Sequence, residues 1–483
     1  MSADGEIALN SALRALGDQV RRDLETLEFN GPDWVKPKQG PDGARVLDAL
    51  IIGGGQSGLS AAFALQRERI RNILVLDENP PGEEGPWVTY ARMITLRTPK
   101  HLGSIEQGVP SLAFRTWWTT QYGEQGWRDL GKIPRAEWMR YLQWYREVLD
   151  LPVQNNTRVT RIEPIGGGLH RVHLAGSGVS DRTSLLARNV ILATGIQGGG
   201  EWHTPSLVEE RLPRSRYAHT SEVIDFEKLK GKRIAILGGG ASAFDNAQHA
   251  LSNGVGEVHV FMRRTEMPRI NPIRHMEISG LIRHYASLDD ARKYLAMRHF
   301  IDHAQPPTND TFERASAYPG FRLHLGAPWL DLRDTPEGAI VTTPQGDQAF
   351  DFLILSTGLV TDTRLRPELD DVRDDIALWS DRYKAPSHLA HPLIDQHPYL
   401  GSGFEYQPRS PAAAERISGL YAFNYSALAS LGLSASALSG LKVALPKLAG
   451  SVSTRLFLED QDTLLADFTG YDEPEFLGTW PAN

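Results

Sequence analysis

The chain has 483 residues, 41% of them hydrophobic and 23% charged, long enough to bury a sizeable core in two or three domains. A formal net charge of −8 argues against a nucleic-acid partner, and no uninterrupted apolar run approaches the ~20 residues of a membrane span. The lack of any cysteine excludes disulfides, thiolate metal centres, iron–sulfur clusters and a redox-active dithiol.

Residues 1–45 read as a helix and a connector. Leu9, Leu13, Leu16, Val20, Leu24 and Leu27 recur every three or four residues, the stripe of an amphipathic helix. Such a stripe can pack onto the main body, form a subunit contact in a homo-oligomer, or close over a site. "NGPDWVKPKQGPDG" then forms a Pro/Gly-rich connector. The segment lacks the basic start and continuous apolar core of a secretory signal, so a cytoplasmic location is expected.

Next comes "DALIIGGGQSGLSAAFALQ", an apolar strand, a glycine turn and a helix of small residues. Gly53, Gly55 and Gly58 satisfy G-x-G-x-x-G, with Gln56 and Ser57 opening the helix. The first glycine allows the tight turn, the second lets a pyrophosphate approach the backbone, and the third lets helix and strand pack closely. A second strand, "NILVL", leads to Asp77 and Glu78, about twenty residues past the last glycine. A carboxylate there is placed to accept hydrogen bonds from ribose hydroxyls.

Six of the 11 tryptophans fall between residues 87 and 144. "EWMRYLQWYREVL" has helical spacing, which predicts Trp138, Tyr141 and Tyr145 in the core. Trp117 and Trp118 sit in a less periodic stretch and are candidates to line a pocket. Residues 159–189 alternate apolar and polar residues around Gly/Ser turns, as in an antiparallel meander. "NVILATG" follows, ending in Thr194-Gly195.

A second loop, "RIAILGGGASAFDNAQHA", repeats the pattern with Gly238, Gly240, Ala241, Ser242 and Ala243, the last replacing the third glycine. Its next strand, "EVHVFM", ends in Arg263 and Arg264 rather than in an acid. Guanidinium groups pair with a 2′-phosphate that a carboxylate would repel, so this loop reads as NADPH-binding and the first as FAD-binding. "DFLILSTG", ending in Thr357-Gly358, closes the second unit. The expected fold is α/β with two Rossmann-like domains, the NADPH domain inserted into the FAD domain. The FAD domain would take residues 46–211 and 364–483, and the NADPH domain 212–363.

The ordered motifs "IIGGGQSG", "EGPWVTYARMITLRTPK", "ATG", "ILGGGASAFD", "FMRRTEMPRINP" and "LSTG" resemble the flavin-dependent monooxygenases that use one FAD and one NADPH. That group includes dimethylaniline-type, Baeyer–Villiger and N-hydroxylating enzymes. Of the F-x-G-x-x-x-H fingerprint of the first two, "PRSRYAHTSEV" keeps only His219, with Pro213 and Ser215 at the Phe and Gly positions. The stretch "AQPPTNDTFE" also lacks the arginine of Baeyer–Villiger enzymes. "TND" and "FNYSALASLGLSASALSGLKVA" are similar to segments of N-hydroxylating enzymes. The resemblance implies that NADPH reduces FAD, that the reduced flavin adds O2 at C4a, and that the (hydro)peroxyflavin passes one oxygen atom to a small molecule. The N-hydroxylating features favour nitrogen as acceptor. Oxygenation of a ketone, or reduction of an acceptor without oxygenation, are the alternatives.

The resemblance also nominates individual residues. Arg97, Thr98 and Lys100 in "ITLRTPK" fall in a segment that faces the flavin in those enzymes, where a cation at Arg97 would favour a peroxide anion, or Arg97 contacts a phosphate or solvent; Trp87 is a further cofactor-binding candidate. His219 is a candidate proton relay if its pKa lies near working pH, or a structural histidine at the interdomain linker. Asn309 is a candidate contact to substrate and nicotinamide, and Asp362 either touches the flavin or caps a turn. No metal is expected, since the 15 histidines show no H-E-x-x-H or comparable spacing.

Overall fold

A computed structural model describes residues 3–480 apart from positions 30, 104, 180–182, 304 and 436; the side chains of residues 3–10, 42 and 279 also lie outside it. The expectations that touch Leu9, Ala304 and Ser436 therefore fall outside the described residues.

Helix α1 (Ala3–Thr26) is the predicted N-terminal helix. After the connector, β1 (Val46–Ile52), α2 (Gln56–Arg67) and β2 (Ile73–Leu76) form the first glycine-loop unit. Six of the seven residues of β1 are buried, as suits a parallel strand covered on both faces. Helices α3 (Phe114–Asp129) and α4 (Arg135–Val148) follow. Trp138, Tyr141 and Tyr145 are fully buried on α4, and the Tyr141 hydroxyl donates to the Leu112 carbonyl at 2.7 Å. Trp117 and Trp118 are buried against Phe114; neither lines the main cavity, and Trp117 borders a smaller crevice beside α1. α1 lies across α3 and α4 and buries Leu16 and Val20, while Leu27, just past its end, is exposed.

Strands β3 (Val153–Gln154), β4 (Arg158–Gly166), β5 (Leu169–Ala175) and β6 (Ser184–Leu192) complete the sheet's first pass. The meander appears as β4–β5–β6, antiparallel throughout, turning at Gly166–Gly168, where all three φ values are positive. It extends the main sheet instead of standing apart, because β6 continues into a parallel pairing with β1.

Short β7 (Gly200–Trp202) leads out of this sheet, and α5 (Ser206–Arg211) and β8 (Tyr217–His219) begin the second. There β9 (Arg233–Leu237), α6 (Ala241–Ser252) and β10 (Glu257–Phe261) repeat the glycine-loop unit. The one-turn α7 (Pro272–Met276) and the helix Asn309–Ser316 precede β11 (Phe321–His324). A three-stranded meander, β12 (Asp331–Thr335), β13 (Gly338–Thr343) and β14 (Gly346–Phe350), leads to β15 (Phe352–Leu355). β16 (Leu359–Thr361) then pairs antiparallel with β7, so the outgoing and returning crossings are zipped side by side.

The second sheet runs β11-β10-β9-β15-β8, all parallel. The first runs β3-β2-β1-β6-β5-β4, with β17 (Leu420–Ala422) added parallel to β6. In both, the strand before the glycine loop lies between the next strand and the strand that ends in Thr-Gly. That is the switch point where open α/β sheets hold ligands. The long C-terminal helix Leu438–Thr469 lies against α2 and is fastened under the sheet by Arg188, which is fully buried and contacts Glu459 at 3.1 Å and Asp460 at 2.9 Å.

Candidate functional site

The main cavity, about 970 Å³, opens at the end of β1 and runs toward α7. Its floor is the first glycine turn. Gly53 sits at φ +106, and a Cβ there would lie 2.5 Å from the Ala193 carbonyl oxygen, so the turn and the ATG strand are pressed together. A Cβ on Gly58 would lie 1.8 Å from the Gly53 oxygen, which makes Gly58 a packing residue off the cavity wall. Gly55 differs: a Cβ there would meet nothing closer than 3.8 Å. Its backbone is bare toward the cavity, and it caps α2 with no side chain, leaving the first-turn N–H groups free for an anion.

Asp77 accepts hydrogen bonds from the Gly54 amide at 2.7 Å and the Asn79 amide at 2.8 Å, so it braces the glycine turn. Burial pushes its carboxyl pKa up, and these amide bonds offset part of the rise. Its neighbour Glu78 also lines the cavity, exposed and held by Arg158 at 2.9 Å. Gln56, Ser57, Trp87, Arg97, Thr98, Thr194 and Gly195 line it too. Trp87 is nine-tenths buried, and among the described residues its Nε1 has no hydrogen-bond partner. A bare glycine backbone, uncapped helix amides, flanking carboxylates and an unpartnered indole N–H together fit a dinucleotide cofactor.

The second turn shows the same pattern. Gly238 sits at φ +109 and would place a Cβ 2.3 Å from the Ser356 carbonyl, while Gly240 is bare out to 3.8 Å. Ala241 and Ala243 are buried at the start of α6, Ser242 is exposed, and Gly240 caps the helix without a side-chain bond. Arg263 and Arg264 lie exposed just past β10, beside this turn, with Arg264 donating to the Asp302 carbonyl at 2.7 Å. These residues stand outside the main cavity and form a separate cradle.

Several candidates lie off the main cavity. His219 is buried off the cavity and stacks on Trp202 at 5.0 Å. Burial pushes its pKa down to about 4. Asn309 is exposed at the start of its helix and does not reach the cavity. Asp362 accepts from the Arg364 amide at 2.9 Å and caps a turn. Thr357 bonds the His203 carbonyl and, with Gly358, lies at the β7–β16 crossing.

Arg97 reaches the cavity and ion-pairs with Asp245 on α6, joining the segment beside the first cradle to the helix of the second. Beyond it the wall comes from α7. Asn271 caps α7 by accepting from the Ile273 amide at 3.1 Å. Arg274 donates to the Arg97 carbonyl at 3.0 Å, and Glu277 contacts Arg274 at 3.1 Å and accepts from the Ser439 hydroxyl at 3.1 Å. Sequence reasoning missed this wall. Its one local signal was Asn271-Pro272, a helix-start pair.

Two nucleotide cradles, one lining the main cavity and one outside it, in a chain without a thiol fit an FAD- and NADPH-dependent oxidoreductase of the flavin monooxygenase class. Residues 50–297 match the pyridine nucleotide-disulphide oxidoreductase family, and the chain belongs to it. It is 56% identical to the FAD-dependent urate hydroxylase of Xanthomonas campestris pv. campestris over 97% of this chain and 98% of that protein. Among solved structures, ornithine hydroxylase from Pseudomonas aeruginosa superposes with a TM-score of 0.67 at 18% identity, covering 85% of this chain and 100% of that one. The ornithine N-hydroxylase of Kutzneria sp. 744 gives 0.65 at 16% identity, over 85% and 99% of the two chains. At those identities the likeness is one of fold.

Proposed function

We propose that this protein is a urate hydroxylase: urate + O2 + NADPH + H⁺ → hydroxylated urate + NADP⁺ + H2O. One oxygen atom joins the substrate, the other leaves as water, and NADPH supplies the two electrons. The observation that carries the reading is the 56% identity, over nearly the whole of both chains, to a urate hydroxylase.

The first cradle would hold FAD along Gly53, Gly55, Gln56 and Ser57, with Asp77 and Glu78 toward the ribose and Thr194, Gly195, Trp87 and Thr98 toward the ring. The second would hold NADPH on Gly238, Gly240 and the α6 amides, with Arg263 and Arg264 toward the 2′-phosphate. The stretch 212–363 would then be the NADPH-binding insertion. Bound reduced flavin supplies activated oxygen for transfer. The chain's own residues bind and orient the substrate and keep water out, with no side-chain nucleophile required.

Urate is a flat oxopurine, negatively charged at neutral pH, with ring N–H donors and carbonyl acceptors. The α7 end of the cavity offers matching chemistry: guanidinium groups from Arg97 and Arg274, the Asn271 amide and the Glu277 carboxylate. The test is to follow NADPH oxidation and urate absorbance together in the FAD-loaded protein. Urate should accelerate NADPH oxidation and disappear with it one for one. NADPH oxidation indifferent to urate, with a primary amine turning over in its place, would overturn the assignment.

A further inference from the structure

Two features far from the nucleotide cradles lack partners and complement each other. The first is the C-terminal arm. The helix Leu438–Thr469 buries its side chains only as far as Leu456; beyond that, Phe457, Leu458, Leu465 and Phe468 are exposed. Residues 471–480 continue without regular structure, and Tyr471, Phe476, Leu477 and Trp480 are each 71–81% exposed, with the Phe476 and Trp480 rings stacked on each other. No Lys or Arg follows Arg455, whereas Asp472, Glu473 and Glu475 punctuate the arm. Four large apolar side chains in ten residues are more than a free surface tail needs, and the interleaved acids keep them in water.

The second is a crevice of about 620 Å³ between α1, α3 and α4. Arg14 and Arg21 from α1 and Arg140 from α4 stand around it, against the carboxylates of Asp18 and Glu147. Arg21 is paired with Asp18 and Arg140 with Glu137, whereas Arg14 has no ion pair among the described residues. Trp117 and Trp144 supply aromatic walls. Trp117 is 1% exposed, yet neither its Nε1 nor the Gln121 Oε1 has a hydrogen-bond partner among the described residues. Arg14, without an ion pair among the described residues, and the aromatic wall beside it suit an incoming peptide carrying acids and aromatic rings.

We propose that the arm of one copy docks in the α1/α3/α4 crevice of a second copy, forming a two-fold dimer by reciprocal arm exchange. Aromatic rings of the arm enter between Trp117 and Trp144, and Asp472, Glu473 and Glu475 meet Arg14 and Arg140. Ten extended residues span up to ~35 Å, long enough to cross between two molecules. The symmetry is self-consistent, since each copy gives one arm and receives one. Neither element lines the nucleotide cavity, so turnover does not depend on the exchange.

The experiment compares the FAD-loaded full-length protein with a chain ending at Gly470, by sedimentation velocity from 1 to 100 µM, roughly the range of weak to moderate protein association. The full-length chain should sediment at twice the monomer mass and the truncated chain as a monomer, with unchanged urate turnover. A fluorescently labelled peptide of residues 471–480 should bind the truncated chain, and Arg14→Glu with Arg140→Glu should weaken it at least tenfold. As α1 variants can disturb folding, Glu473→Lys with Glu475→Lys in the peptide gives the same test from the other side. A monomeric full-length chain at every concentration, a truncated chain that still dimerises, or a peptide indifferent to both charge reversals would overturn the proposal.

Discussion

The ion pair between Arg97 and Asp245 is the contact most exposed to test, because it joins the two nucleotide-binding halves at the cavity. Asp245 is almost wholly buried, and its pKa is raised by that burial, a rise offset in part by Arg97. Arg97 keeps about a quarter of its side chain in solvent. Removing one partner from a fully buried pair costs ~3–5 kcal/mol, and an exposed pair contributes ~0–1 kcal/mol. The half-open geometry places the coupling between these limits, at about 2 kcal/mol. Arg97→Ala, Asp245→Asn and the double variant form a cycle, read by urea unfolding of the FAD-loaded protein. In addition, each single variant should slow flavin reduction by NADPH at least tenfold in stopped-flow, since α6 loses its tether to the cavity. A coupling energy below about 0.3 kcal/mol, the noise level for independent sites, would refute the reasoning.

Filling the bare glycine should separate folding from cofactor binding: Gly55→Val is expected to fold with normal circular dichroism yet purify colourless. Gly58→Ala, whose Cβ would strike the Gly53 oxygen, should fail to fold. Replacing Arg263 and Arg264 by Ala removes up to two charge-assisted bonds of ~1.5–3 kcal/mol each, so KM for NADPH should rise at least tenfold while KM for NADH stays within twofold. Burial holds His170, His219 and His397 at pKa values of about 4. Because these lie below the unfolded value of 6.5, the unfolded chain takes up the extra protons. Stability should therefore be whole above pH 6.5 and fall as the pH drops toward 4. At pH 5 each histidine costs roughly 2 kcal/mol. Asp48, raised to about 6 by burial, works in the opposite direction below that pH and offsets roughly 1.4 kcal/mol. The net loss of several kcal/mol should appear as a steep fall in Tm between pH 7 and pH 5, and a flat Tm would contradict it.

Both cradles were legible in the sequence because their chemistry is local. A glycine needed for positive φ or for close approach, as at Gly53, Gly58 and Gly238, leaves its mark within a few residues of the strand it serves. The helical spacing of Trp138, Tyr141 and Tyr145 was readable for the same reason. What stayed hidden depends on burial and on long-range contacts. Nothing near His219 shows that Trp202 will stack on it. Nothing in "ITLRTPK" shows that Arg97 will meet an aspartate 148 residues away. Asp77 was singled out for a ribose, but the turn beside it uses the same carboxylate through the Gly54 amide. The α7 wall escaped because Arg274, Glu277 and Ser439 come together only when the second unit and the C-terminal helix close on the cavity.

The most direct check on the whole account is isotopic. Reduced, FAD-loaded protein is given NADPH and urate under ¹⁸O2 in ordinary water, and the product is trapped and weighed by mass spectrometry. One ¹⁸O atom per hydroxylated urate is the expected result. Product carrying only solvent oxygen, with hydrogen peroxide accounting for the consumed NADPH, would contradict it.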